Sequence, residues 1–367
     1  MRTKIAFVIP TMDLGGAEKQ LCLLAENLPR EEYDVRVYLL TRDGPRSEQL
    51  RSAGIPVILI GKRFKLDPTA LIRLKNELRS FQPDVVHTWL FAANSFGRLA
   101  ASLAAVPTIY ASERCVDPWK TSFHLMIDRW LAKKTLKITT NSTGVKSFYA
   151  SKGLDPDLFE VIPNGIETVV PDSISREEAF GRLKVEEDRK LILAVGRLWP
   201  QKRYRDLIWA AELLATLRED ITLVILGDGP LQAELMRFRD SVTSVDRVRF
   251  AGNRGDVASL LPHANQFWIG SEYEGQSNSL IEAMQAGLPV VASEIPGNTD
   301  LVTDRITGRL YPLGDTAALA RCSQWLFENP SDAEQLGGAA RERIQSDFTV
   351  KAMVERHSEL YQRSVTE

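Results

Sequence analysis

Two glutamates, Glu274 and Glu282, bracket the stretch Gly275-Gln276-Ser277-Asn278-Ser279-Leu280. Turn formers there give way to Leu280, Ile281, Ala283 and Met284, and Gly287 with Pro289 makes a stop. The pattern predicts a helix that carries Glu282, with Glu274 in the loop before it. Ionised carboxylates only accept hydrogen bonds, so such a pair suits hydroxyl groups. Between them, backbone N–H groups at the positive end of the helix dipole offer a place for phosphate.

Positive charge comes from a second loop. Arg197 and Lys202 lie in Gly196-Arg197-Leu198-Trp199-Pro200-Gln201-Lys202, directly after an apolar run at 191–195. A guanidinium offers a fixed fork of donors and an ammonium a movable point charge, a combination that offsets charge on a departing diphosphate. Gly15-Gly16, after the first apolar run, either closes a simple turn or lets backbone approach a phosphate. The GxGxxG fingerprint of dinucleotide binding is absent, which argues against a dehydrogenase.

Other chemistry-bearing residues are fewer. His87 ends the strand pattern 84–87 and is either a site residue or a structural one, while Trp89 either stacks on a ligand or packs in the interior. Ser112-Glu113-Arg114 follows the next strand, its arginine free to meet a phosphate or to pair with Glu113. Asp155-Pro156-Asp157 spells a D-x-D metal signature but occupies a loop, so a turn is expected and no metal site. His124, His263 and His357 lack motif context and are read as structural or surface residues.

The elements that must position these groups alternate regularly. Strands are expected at 4–9, 34–40, 57–60, 84–87, 108–111, 136–140 and 159–162, with helices between them. After Pro163-Asn164-Gly165-Ile166 comes a polar stretch, and strands resume at 191–195, 221–226, 247–250, 266–269 and 289–292. The expected fold is α/β: two Rossmann-like doubly wound domains, residues 1–167 and 168–349, with ligand at the strand carboxyl ends. Met353, His357, Leu360 and Tyr361 share one face of a last helix at 350–367.

Composition narrows the class. The chain has 367 residues, 44% hydrophobic and 26% charged, ordinary for a folded two-domain protein. Its first apolar run is too short for a signal peptide or a bilayer span, so a cytoplasmic protein is expected. Three cysteines without CxxC spacing suggest neither a disulfide framework nor a zinc site. The net charge of −2 hides an excess of cations in residues 1–167, which is either scattered surface charge or an attraction to anionic lipid or a phosphate-bearing molecule. Phe123, Met126, Ile127, Trp130 and Leu131 recur at helical spacing among Lys120, Arg129, Lys133 and Lys134. That stripe is expected to face its own sheet; the alternative is a helix resting on a membrane.

Taken in order, Gly15-Gly16-Ala17-Glu18, Asp84-Val85-Val86-His87, Pro163-Asn164-Gly165-Ile166, Gly196-Arg197-Leu198 with Lys202, Gly227-Asp228-Gly229-Pro230, Phe250-Ala251-Gly252, and Glu274 with Glu282 as E-x7-E resemble the large retaining glycosyltransferase family four, of GT-B fold. The likeness spans nearly the whole chain. It implies two domains facing across a cleft, the first binding acceptor and the second nucleotide sugar, with the last helix crossing back to the first domain. It further implies that Arg197 and Lys202 bind and stabilise the leaving diphosphate, that Glu282 holds the ribose and Glu274 the donor sugar, and that amides over 277–280 meet the phosphates. Gly15, Gly16, Gly275 and Asn253 complete the implied donor site, Asn253 near the base. His87 is a further catalytic candidate, although the family's second histidine is replaced here by Trp89.

The activity so implied is retaining transfer of a sugar, from a nucleotide diphosphate sugar that is expected to be a UDP-sugar, to a glycan or lipid-linked acceptor in polysaccharide biosynthesis. No cofactor, required metal or nucleic-acid partner is expected, and peripheral contact with the inner membrane face is an open expectation. A GT-B nucleotide-sugar epimerase and a non-catalytic nucleotide-binding module remain as alternatives. A glycan phosphorylase would need a pyridoxal phosphate lysine site, which is not found.

Overall fold

The computed structural model describes residues 2–167 and 172–366. Two compact units divide the chain: residues 1–165 with 348–367, and residues 166–347. The boundary expected near residue 168 falls outside the described residues.

The first unit is built on seven strands: β1 (Thr3–Ile9), β2 (Tyr33–Leu39), β3 (Val57–Leu59), β4 (Val85–Trp89), β5 (Thr108–Glu113), β6 (Lys137–Thr140) and β7 (Phe159–Val161). All pair in parallel, in the order β3-β2-β1-β4-β5-β6-β7. Strands covered on both faces read as continuous apolar runs, and Ile5 to Ile9 is fully buried. The order reverses between β1 and β4. Helix Val350–Thr366 adds Met353, Val354, Leu360 and Tyr361 to the core that holds Ile5, Phe7 and Ile9. Tyr33 Oη lies 2.6 Å from Ser358 Oγ, and the Tyr110 hydroxyl donates to the Leu360 carbonyl at 2.8 Å.

The second unit has six strands: β8 (Lys190–Val195), β9 (Ile221–Leu226), β10 (Val248–Phe250), β11 (Gln266–Ile269), β12 (Val290–Ser293) and β13 (Arg309–Tyr311). Their order is β10-β9-β8-β11-β12-β13, again all parallel. Here the order reverses between β8 and β11. In open α/β sheets that reversal point opens a crevice at the strand carboxyl ends, where ligands bind. The loops carrying Arg197 and Glu274 are the ones that leave β8 and β11.

Glycines set those loop shapes. Gly227, at φ +144°, lies so close to the Gly196 backbone that a Cβ would stand 2.9 Å from the Gly196 carbonyl carbon. Gly196 N–H donates to Leu226 O at 2.9 Å and Gly227 N–H to Gly252 O at 2.7 Å. Three turns from three neighbouring strands thus knit into one layer.

Helix Ser122–Ala132 departs from expectation. Its Asp128, Leu131 and Ala132 are buried, but Phe123, Met126 and Trp130 are exposed by 62%, 53% and 50%. Buried charge explains the inversion. Asp128 turns inward to Arg98 at 2.9 Å and Lys120 at 3.0 Å, which leaves the aromatic side outward. Among the described residues no helix is long and apolar enough to cross a membrane.

Candidate active site

At the reversal point of the second unit, helix Asn278–Gln285 begins with Ser277 in extended conformation as its N-cap, and the Ser277 side chain makes no capping bond. Ser279 Oγ donates to the Val195 carbonyl at 2.9 Å, which ties the helix start to the end of β8. Leu280 and Ile281 are buried and fix that end on the sheet. Glu282 follows on the same helix, half-buried.

The loop after β8 turns through the short 3-10 segment Pro200–Lys202 and ends at Arg203, whose φ of 50° starts helix Tyr204–Ala215. It is bound to the loop after β11: Glu272 N–H donates to the Gln201 carbonyl at 2.8 Å. The Lys202 ammonium pairs closely with the Glu274 carboxylate. Ser271 Oγ donates to the same carboxylate oxygen at 2.7 Å, and both acidic and basic side chains are largely buried. Arg197 is exposed and stands over the Trp199 ring at 5.3 Å. Arg197, Lys202, Glu274, Gly275, Ser277, Asn278, Ser279, Leu280 and Glu282 thus belong to two loops and one helix start at a single sheet edge. Asn253 follows β10 and is exposed.

Supporting residues escaped the sequence reading. Tyr204 donates to the Gly196 carbonyl at 3.0 Å, and burial, with Glu274 beside it, raises its hydroxyl pKa far above the usual tyrosine range. Ser293 Oγ donates to Ser271 O at 2.6 Å, and Asn298 donates back to Ser293. A Cβ on Gly297 would lie 2.7 Å from the Glu274 carbonyl oxygen. The only sequence signal for these was small or polar residues beside strand ends, which are common everywhere.

The first unit has its own cluster at its reversal point. Gly15 caps helix Gly16–Asn27 with extended rather than left-handed backbone, and the Glu18 carboxylate folds back so closely that a Gly15 Cβ would stand 2.8 Å from Glu18 Cδ. His87 is fully buried, with Nδ1 2.8 Å from the Tyr361 hydroxyl and Nε2 3.2 Å from Thr139 Oγ1. Burial, aided by His357 and Arg114, pulls its pKa well below the usual imidazole value. With both nitrogens engaged and the ring buried, His87 ties β4 and β6 to the last helix. Trp89 is buried too. Arg114 does not pair with Glu113, which is held by Lys120 at 3.2 Å and by Asn94 and Tyr149 at 3.0 Å each. Asp155 accepts from Asp157 N–H at 2.9 Å in the turn preceding β7, so the D-x-D is a turn. His124 takes part in the capping box of its helix with Thr121.

Comparison with known proteins covers almost the whole chain. Residues 14–170 match the model Glycosyltransferase Family 4, and residues 175–343 match Glycosyl transferases group 1. A UDP-Gal:alpha-D-GlcNAc-diphosphoundecaprenol alpha-1,3-galactosyltransferase of Escherichia coli is 26% identical, over 98% of this chain and 97% of its own. The lipopolysaccharide core biosynthesis glycosyltransferase LpsD of Rhizobium meliloti is also 26% identical, over 80% and 79%. Among solved structures, HepE of Anabaena in complex with UDP-glucose superposes with a TM-score of 0.88 at 23% identity, covering 99% of this chain and all of that one. A sucrose-phosphate synthase of Thermosynechococcus elongatus superposes with a TM-score of 0.79 at 20% identity, covering both chains fully. These likenesses show the fold.

Proposed function

The chain belongs to the glycosyltransferases of family 4 and group 1, with the GT-B fold, and on that premise we propose that it moves a sugar from a UDP-sugar to a lipid-linked or glycan acceptor with retention at the anomeric carbon. The observation that carries the reading is the reversal point of the second unit. Cations, carboxylates and the start of helix Asn278–Gln285 share one edge there, tied by the Ser279 to Val195 bond. UDP is the donor nucleotide favoured by the names of the E. coli relative and of the Anabaena complex, and a diphosphate-linked lipid acceptor by the name of the former.

In this reading the donor diphosphate lies on the amides over 277–280, with Arg197 and Lys202 against its oxygens. Glu282 accepts from the ribose hydroxyls and Glu274 from the sugar hydroxyls. The bond between the anomeric carbon and the β-phosphate oxygen breaks as positive charge spreads over the ring. The acceptor hydroxyl attacks from the face the diphosphate leaves, and its proton passes to that departing oxygen. No carboxylate nucleophile, metal or organic cofactor is required. Arg197 and Lys202 offset the growing charge, each contact contributing roughly 1.5–3 kcal/mol net.

The test is release of nucleoside diphosphate from a panel of nucleotide sugars, with product stereochemistry read by NMR. Arg197→Ala is expected to slow release about a hundredfold or more. An unchanged rate would refute the role of Arg197, and an inverted product would refute retention.

A further inference from the structure

Around Arg114 the first unit buries polar atoms that no group among the described residues satisfies. Arg114 is 7% exposed and its guanidinium lies 4.8 Å over the Trp89 ring. Only Nη2 has a partner, the Asn164 side-chain oxygen; Nε and Nη1 are buried and unbonded. Trp89 Nε1, Ser112 Oγ, Asn141 Oδ1 and His357 Nε2 are buried and unbonded as well.

These atoms belong to one neighbourhood. Trp89 ends β4 and is the register partner of Ser112 in β5, and its ring stacks on His357 at 6.4 Å. Asn141, just past β6, shares the Asn164 oxygen with Arg114. Buried polar groups are nearly always hydrogen-bonded, and an unsatisfied one costs about 1–3 kcal/mol, more if charged. Several together in one place call for a missing partner.

The charge says which kind. A buried cation is tolerated when an anion faces it. The nearest carboxylate in sequence, Glu113, is occupied by Lys120, Asn94 and Tyr149. Burial alone drags the Arg114 pKa down to about 9, with no carboxylate nearby to offset it.

We propose that Arg114, with Trp89 and Ser112 around it, forms a binding site for a phosphate-class oxyanion at the carboxyl edge of the first unit's sheet. Unbonded donors on two guanidinium nitrogens, an indole and a hydroxyl suit an anion with several oxygens better than a halide. Given the transferase reading, on which this assignment of the source rests, that anion is the phosphate next to the acceptor sugar in a diphosphate-linked acceptor; the other source is free phosphate. The site then serves acceptor specificity: a charged acceptor is retained and its uncharged analogue is not.

The test uses the full chain in phosphate-free buffer. Calorimetry with inorganic phosphate and pyrophosphate is run on the wild type and on Arg114→Gln, with UDP binding measured on both as a check of the fold. Expected is phosphate affinity lowered about tenfold or more in the variant, with UDP affinity unchanged. Hydrogen exchange on the wild type is expected to slow over 110–116 and 139–143 when phosphate is added, a reading that stands even if the variant misfolds. Equal phosphate affinity in both proteins, no phosphate binding to the wild type, or protection elsewhere only, each overturns the site. To separate the sources, KM is compared for a diphosphate-linked acceptor and the same sugar on an uncharged alkyl chain. A rise in KM of about tenfold for the charged acceptor alone assigns the acceptor phosphate, whereas phosphate binding without that rise assigns free phosphate to the same site. If the wild type turns over no nucleotide sugar, the transferase reading fails while the phosphate titration still decides the site.

Discussion

The Lys202–Glu274 pair is the residue-scale feature from which the donor chemistry can be probed most directly. The ammonium is paired with Glu274, so on the proposed function a diphosphate must share that cation with the carboxylate. Replacing Glu274 by Gln removes the competing charge and, on the proposed function, also removes an acceptor for sugar hydroxyls. UDP, which lacks the transferred sugar, is therefore expected to bind Glu274→Gln as tightly as the wild type or tighter, while turnover of the UDP-sugar falls about a hundredfold. Lys202→Ala is expected to weaken UDP itself by about tenfold, the loss of one charge-assisted contact. Titration of UDP into the three proteins checks both; weaker UDP binding to Glu274→Gln would show that the carboxylate organises Lys202 rather than competing for it.

At the scale of elements, the glycine layer and the outward aromatic helix each carry an expectation. Gly227→Ala puts a Cβ against the Gly196 carbonyl at a φ that side chains avoid, so a loss of about 1–3 kcal/mol in denaturant unfolding is expected, along with a displaced Arg197 loop. Helix Ser122–Ala132 presents Phe123, Met126 and Trp130 beside Arg129, Lys133 and Lys134, an arrangement suited to an anionic membrane surface. Co-sedimentation with vesicles containing anionic lipid should be strong for the wild type and largely lost for Phe123→Glu with Trp130→Glu; equal pelleting of both would remove the helix from any membrane role. The contrast between these elements shows what a sequence makes legible. The helix on Glu282 and its stop at Gly287 are local, written in neighbouring residues, and the structure has both. The outward face of Ser122–Ala132 was not legible, because it depends on Arg98, distant in sequence, drawing Asp128 inward. The three-residue strand β13 and helix Arg176–Leu183 carry too short a pattern to stand out. The setting of His87 was not legible for a related reason: its partner Tyr361 lies 274 residues away.

For the molecule as a whole, the return of helix Val350–Thr366 to the first unit places two uncharged imidazoles in one buried layer, and this makes the units respond differently to acid. His357 Nδ1–H donates to the Met353 carbonyl, yet burial holds its pKa down to about 3, and His87 is likewise held well below the usual value. In the unfolded chain both take up a proton near pH 6.5. Their contribution to stability is thus complete above about pH 6.5 and declines as pH falls from there toward the folded values, by about 1.4 kcal/mol per pH unit for each histidine. Glu113, whose carboxyl burial raises, works in the opposite direction within the same unit, so the wild-type slope mixes the two. His357→Gln separates them, because it removes one titrating imidazole and leaves the Glu113 network in place. Hydrogen exchange of helix Val350–Thr366 and of helix Tyr204–Ala215, corrected for intrinsic rates, should show opening energies that fall between pH 7 and 5 in the first. The slope in His357→Gln should be shallower by about one proton, whereas the second helix, in the unit that holds neither His87 nor His357, should hold steady. Identical slopes in wild type and variant would mean that His357 is protonated in the folded protein and that Met353 and its neighbours accommodate the charge.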